Sequence, residues 1–264
     1  MPEGPEVKIA SNYLNKFFNS NDPIIFKTIT EYYNEKYKDV FKTINKELTK
    51  FKKSYTVGKN IFINLNKELI FNFHLGMTGG WSKELTKHCH FKIHNNKKEL
   101  FFRDIRKFGK MRIISKSEFL QKHQAYRDML NAEYNIKKHI NFLIENINKK
   151  TTICSILMNQ KYFPGVGNYI KSETLYACSI HPEKKWQNIS RLELEKLIMT
   201  THEIMHESLN HGGAELRDFN NPFHSSKYKL KIYGRKKTIK NKAVKALLTS
   251  DYRRTWICTD TQKL

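Results

Sequence analysis

The spacing of apolar residues changes period twice along this 264-residue chain, and that change constrains the fold more than any single motif. Between residues 5 and 18, Val7, Ala10, Tyr13, Leu14 and Phe17 recur every three or four residues, which places them on one face of an amphipathic helix. Gly4 suits its cap, Pro5 the first turn, where a missing N–H costs nothing, and Glu6 the positive end of the dipole. Residues 55–65, 69–74, 90–94, 100–103 and 111–114 are instead short β-prone runs, separated by Gly, Asn and Lys turns at spacings typical of a sandwich or barrel. Helical spacing returns in 118–131, 136–147, 151–160, 169–178 and 191–210. A basic, strand-like stretch then leads to 243–249 and 253–258, which the turn Ser250-Asp251-Tyr252 joins as a hairpin. The implied class is α+β: a leading helix and β-sandwich in 1–117, a hinge at 118–130, a mainly helical domain in 131–225 and a hairpin finger in 226–264.

Charge narrows the partner. The chain carries 48 Lys and Arg against 25 Asp and Glu, a net charge of +23, which favours a polyanion such as nucleic acid over an anionic membrane surface. Part of the excess reflects a composition rich in both Lys and Asn. No run approaches the roughly 18 apolar residues of a membrane span, and the start MPEGPE lacks a basic-then-apolar leader, so an intracellular soluble protein is expected. Cys89, Cys154, Cys178 and Cys258 are scattered without a C-x-x-C pair, which argues against a disulfide framework and a cysteine zinc site. His88, Cys89, His90 and His94 lie close together, but no carboxylate or second thiol completes a metal set.

The N-terminus itself holds candidate chemistry. A chain beginning Met1-Pro2-Glu3 should lose its Met, leaving a secondary amine on Pro2 just ahead of a helix. An α-amino group is less basic than Lys and the helix dipole lowers its pKa further, so a neutral amine is available near neutral pH to attack an aldehyde-like carbon and form an iminium. Glu3 and Glu6 are within reach as proton carriers, although acidic residues at a helix start are also ordinary capping.

The opening Pro2-Glu3-Gly4-Pro5-Glu6-Val7 resembles the signature of the formamidopyrimidine-DNA glycosylase/endonuclease VIII family, bifunctional enzymes that remove oxidised bases and cut the resulting abasic site. Further blocks match in the family's order. Tyr55-Thr56-Val57-Gly58-Lys59 resembles the strand bearing its active-site lysine; His74-Leu75-Gly76-Met77-Thr78-Gly79 and Asp104-Ile105-Arg106-Lys107-Phe108-Gly109 resemble its two intercalation loops. Gly165-Val166-Gly167-Asn168 resembles the opening of the second helix of its helix-two-turn-helix, here 151–178. Gly212-Gly213, Leu216-Arg217-Asp218-Phe219 and Tyr233-Gly234-Arg235-Lys236 resemble the approach to its finger.

The resemblance implies roles. Pro2 attacks the anomeric carbon through a Schiff base, with Glu3, Glu6 and Lys59 moving protons; Met77, Arg106 and Phe108 fill the hole left by a flipped base; and Arg253 assists a second elimination. His88, Arg106, Lys107, Lys149, Lys150 and Asn168 are implied DNA contacts, Asn168 as an N-cap whose helix start exposes N–H groups to phosphate. Nine Lys and Arg without an acid in 227–245 fit a DNA-facing surface. Two departures stand out: Cys154 replaces a frequent Lys, and only Cys258 remains of four zinc cysteines. No zinc and no other cofactor is therefore expected, the finger being closed by Val244, Leu247, Trp256 and Ile257. The expected protein is a monomer acting on double-stranded DNA containing oxidised bases or abasic sites, and secondarily on single-stranded DNA. The zinc-free finger points to oxidised pyrimidines and hydantoins, with base-pocket residues including 220–226. The alternatives are oxidised purines with the same chemistry, and a non-catalytic binder of damaged DNA.

Overall fold

In the computed structural model the described residues are 1–19, 21–215 and 225–264, and they divide into two compact units. The first comprises Met1–Pro2, Glu6–Gln124 and Glu215–Ser226; the second comprises Glu3–Pro5, Ala125–Ala214 and Lys227–Leu264. The boundary thus falls between Gln124 and Ala125, and the finger residues cluster with the helices before them.

The first unit begins with α1 (Gly4–Phe17), whose first helical residue is Gly4 itself, so Glu3 is the residue at its entrance. β1 (Ile25–Thr28) and α2 (Glu31–Glu47) follow. Helix α2 corrects the expectation of β structure throughout this region: Tyr33, Tyr37, Phe41 and Ile44, spaced by four, four and three, form its buried face. The strands β2 (Ser54–Val57), β3 (Asn60–Asn64), β4 (Leu69–His74), β5 (Gly79–Ser82), β6 (Cys89–His94), β7 (Glu99–Asp104) and β8 (Lys110–Ser115) complete two four-stranded antiparallel sheets, ordered β1-β6-β7-β5 and β2-β3-β4-β8.

Alternate residues of both sheets point into one core, among them Ile61 and Ile63, Phe71 and Phe73, Phe91 and Ile93, Leu100 and Phe102. Phe73 and Phe102 meet edge-on with centroids 4.8 Å apart, and Phe26 meets Phe71 the same way at 5.7 Å. Truncating Phe102, which is fully buried, is expected to cost about 3–5 kcal/mol. Helix α3 (Lys116–Lys122) covers the other face of the second sheet through Phe119, whose ring lies 4.9 Å from that of Phe62. It is shorter than the 118–131 stretch of helical spacing, because His123 is extended and its ring also packs on Phe62.

The second unit contains α4 (Ile136–Asn146), α5 (Ile153–Met158), α6 (Asn168–Cys178) and α7 (Arg191–Asn210), then the antiparallel pair β9 (Val244–Leu248) and β10 (Arg254–Cys258). Ser190 and Glu193 form a capping box that starts α7. Helix α6 is buried around most of its circumference, including Lys171, Ser172, Glu173 and Thr174, which marks it as the centre of this unit. All four cysteines are free and buried. Among the described residues no helix is long and apolar enough to cross a membrane.

Candidate active site and nucleic-acid interface

One buried carboxylate organises the two loops of the first unit. Asp104, at the end of β7, accepts the Gly109 N–H at 2.7 Å on Oδ2 and the Thr78 hydroxyl on Oδ1, and the Thr78 oxygen accepts the Arg106 N–H at 3.0 Å. The Tyr37 hydroxyl donates to the Gly109 carbonyl at 2.9 Å. The loops also touch backbone to backbone: Gly76 has φ +73, and a Cβ there would lie 2.5 Å from the Phe108 carbonyl carbon. On this frame Phe108 remains 45% exposed, with the Arg106 guanidinium 4.6 Å from its ring centroid, and Met77 is half-buried. Lys107 takes a left-handed φ of 56, and its ammonium lies 4.8 Å from the Tyr32 ring. The carbonyl of half-buried His88 accepts the Asp104 N–H at 2.9 Å, so Met77, His88, Arg106, Lys107 and Phe108 belong to one stitched assembly.

A cavity of about 1020 Å³ opens beside these loops, lined by Met1, Asn72, His74, Met77, Arg106 and Phe108 among others. His74 accepts the Gly76 N–H on Nδ1 at 3.0 Å. Burial, and then the positive charges of Lys59, Lys110 and Arg112, push its pKa down to about 4, so the ring is neutral near pH 7 within a cationic surround. Arg112 donates from Nε to Asn72 Oδ1 at 2.9 Å. His74, Asn72 and Arg112 are lining residues that motif reading did not assign. Their signal was polar residues at alternate positions of two facing strands, since Asn72 pairs with Arg112 and His74 with Lys110. Lys59 is placed differently from expectation: it sits with Gly58 in the tight turn between β2 and β3, not within a strand, and is 7% exposed. The left-handed φ of 60 at Gly58 makes that turn. Pro2 and Glu6 are both buried.

In the second unit the start of α6 carries the correction of most consequence. Its N-cap is Gly167, not Asn168, and the donors of the first turn meet Glu3. Oε2 of Glu3 accepts the N–H groups of Gly167 at 2.7 Å and Ile170 at 3.3 Å, while Oε1 accepts that of Tyr169 at 2.9 Å. A helix start expected to hold a phosphate therefore holds a carboxylate of the chain itself. Gly167 is required there, because a Cβ would fall 2.3 Å from the Glu3 carboxyl carbon. Asn168 turns toward the finger and donates from Nδ2 to the Arg254 carbonyl at 2.9 Å. Pro2 and Glu3, consecutive in the chain, cluster with different units.

Lys149 and Lys150 are exposed in the turn between α4 and α5, which Asn148 closes by accepting the Lys150 N–H at 2.9 Å. All nine basic side chains of 227–245 are exposed, and Arg253 is exposed in the β9–β10 turn. The apolar closure expected of the hairpin is one-sided: Ile257 is buried, whereas Leu247 is 37% exposed. Among the described residues no three His, Cys, Asp or Glu gather as a metal site. Leu216, Arg217, Asp218 and Phe219, and most of the expected base-pocket stretch 220–226, lie outside the described residues.

The sequence profile of the formamidopyrimidine-DNA glycosylase N-terminal domain matches residues 1–111, and that of the family's H2TH domain matches 130–220. The chain belongs to the formamidopyrimidine-DNA glycosylase family. It is a DNA glycosylase of base excision repair. The formamidopyrimidine-DNA glycosylase of Rickettsia felis is 32% identical over 197 residues, 68% of each chain, and that of Histophilus somni is 30% identical over 262 residues, 89% of each. The fold matches that of MutM in complex with DNA containing carbocyclic 8-oxo-G, with a TM-score of 0.82 and 23% identity over the whole of both chains. It likewise matches Lactococcus lactis Fpg in complex with abasic-site DNA, with a TM-score of 0.84 and 23% identity over 99% of this chain and 100% of that one.

Proposed function

We propose that this glycosylase excises oxidised purines from double-stranded DNA and then cleaves the abasic site, with the Pro2 amine as nucleophile. The observation that carries this reading is the set of wedge residues Met77, Arg106 and Phe108, held on clamped loops beside a cationic cavity that the chain's first residue also lines. With Met1 removed, the Pro2 nitrogen attacks C1′ of the flipped nucleotide; the glycosidic bond breaks, the base leaves with its electron pair and takes a proton, and opening of the sugar ring gives an iminium. Loss of the C2′ proton expels the 3′ phosphate, and loss of the C4′ proton, assisted by Arg253, expels the 5′ phosphate, leaving a one-nucleotide gap. Glu3 and Lys59 handle the protons, with Glu3 oriented by its three backbone donors. No cofactor takes part: chelators should leave excision unchanged.

The purine assignment follows the names of the relatives and the Met77-Arg106-Phe108 set. The reading of oxidised pyrimidines and hydantoins rested on the zinc-free finger, whose residues are held by polar tethers to α6 that say nothing about base choice. Cleavage of duplexes carrying 8-oxoguanine, a hydantoin or thymine glycol separates the two: fastest cleavage of 8-oxoguanine supports the proposal, and fastest cleavage of thymine glycol or a hydantoin overturns it. Borohydride trapping on abasic-site duplex tests the lyase half, and absence of a covalent adduct contradicts it.

A further inference from the structure

The finger faces a physical problem: two five-residue strands do not hold a shape alone in water, and this pair leaves Leu248 70% exposed. Its turn nevertheless presents Arg253. That turn is closed by the Tyr252 N–H on the Thr249 carbonyl at 2.8 Å and the Thr249 N–H on the Arg253 carbonyl at 3.0 Å, with Tyr252 at φ +59. The Thr249 hydroxyl donates to Asp251 Oδ1 at 2.5 Å. The other oxygen of Asp251 receives the Lys171 ammonium at 2.5 Å, and the two side chains are 0% and 5% exposed, Lys171 and Asp251 respectively. Ser250 adds its N–H on Glu183 at 2.7 Å and a hydroxyl contact with Thr152 at 2.6 Å. Asn168 and Lys171 are three residues apart on α6, so the Asn168–Arg254 and Lys171–Asp251 tethers rise from the same helix face. Glu173 fixes the approach by accepting the N–H groups of Lys231, Ile232 and Tyr233 at 2.8–2.9 Å.

A buried ion pair is a poor source of stability, since desolvation offsets much of its attraction; its better-attested use is to specify one register. We propose that the Lys171–Asp251 pair is a positioning device that sets the β9–β10 turn, and with it Arg253, doing by charge what a metal does for a zinc finger. This rests on the reading of Arg253 as the residue that assists the second elimination.

The full chain carrying Lys171→Met or Asp251→Asn is incubated with abasic-site duplex, and three quantities are read: borohydride-trapped adduct, the share of product that has undergone the second elimination, and the melting temperature. The expected result is a trapped yield within about twofold of wild type and a second-elimination share lower by about tenfold or more, as in Arg253→Ala, because displacing a reacting group by an ångström costs up to about a hundredfold. Asp251→Asn keeps the side-chain volume and the Thr249 bond, and it decides the matter if Lys171→Met does not fold. An unchanged product split in a folded variant, or trapping and second elimination falling together, overturns the proposal. Absence of adduct with wild type instead sinks the functional reading beneath it.

Discussion

The 74–79 and 104–109 loops and the finger both hold exposed residues still, by different means. Each loop crosses from one sheet to the other, β4 to β5 and β7 to β8, and because β4 pairs with β8 and β5 with β7 the two crossings run side by side, where one buried carboxylate, Asp104, ties them together. The finger is a lone hairpin, and its order comes from a helix: Lys171 takes Asp251, Asn168 takes the Arg254 carbonyl, and Glu173 takes three backbone donors. A sheet lends its loops rigidity locally, whereas a hairpin without a metal must import it from residues far away in sequence.

The sharpest way to break the first arrangement is Asp104→Ala. Leaving the Gly109 N–H and Thr78 hydroxyl without their buried acceptor should cost about 3–5 kcal/mol in a denaturant titration, with excision lost and the product split of any residual activity unchanged. The next effect compares the units through pH, since the pKa values of His74 and His139 are each pushed down to about 4, mainly by burial. Below the ordinary histidine value of 6.5 the unfolded chain binds protons that the folded chain refuses, so stability is complete above about pH 6.5 and falls as pH drops toward 4. At pH 5 the loss should be about 2 kcal/mol for each ring, and His74→Asn or His139→Asn should flatten the stability–pH curve by its own share. A third pair of variants separates the proposed wedge role from the proposed phosphate contact. Phe108→Ala should slow excision by about tenfold with an unaltered salt dependence of binding, whereas Lys149→Ala should reduce the log–log salt slope by about 0.9 and weaken damaged and undamaged duplex equally. The smallest effect is expected at the solvent face of the finger, where Leu248→Thr should change stability by no more than about 0.5 kcal/mol.

Much of this architecture was legible in local spacing. The amphipathic α1, the helix pair 151–178 and the closing hairpin all follow from contacts a few residues apart. Helix α2 is only faintly legible: Tyr33, Tyr37, Phe41 and Ile44 carry its period, while the surrounding Lys, Glu and Asn dilute it and Tyr37 breaks it with non-helical backbone angles. The turn at Lys59 is hidden in the sequence because apolar alternation runs on past Gly58, and only the left-handed angle there turns the chain. What local spacing could not show is long-range supply of a partner. The acceptor for the start of α6 comes from Glu3, 164 residues before Gly167, and the anchor for Asp251 lies 80 residues before it. Side chains that look like local caps or solvated charges take their roles from such partners.

In the proposed reaction the Pro2 nitrogen makes the covalent bond to DNA. Reducing the complex with abasic-site duplex by borohydride, digesting it and locating the modified peptide by mass spectrometry tests this directly. A sugar remnant on the nitrogen of Pro2 is expected in chains that have lost Met1; the same remnant on Lys59, or adduct formed equally well by chains retaining Met1, would contradict the Pro2 assignment.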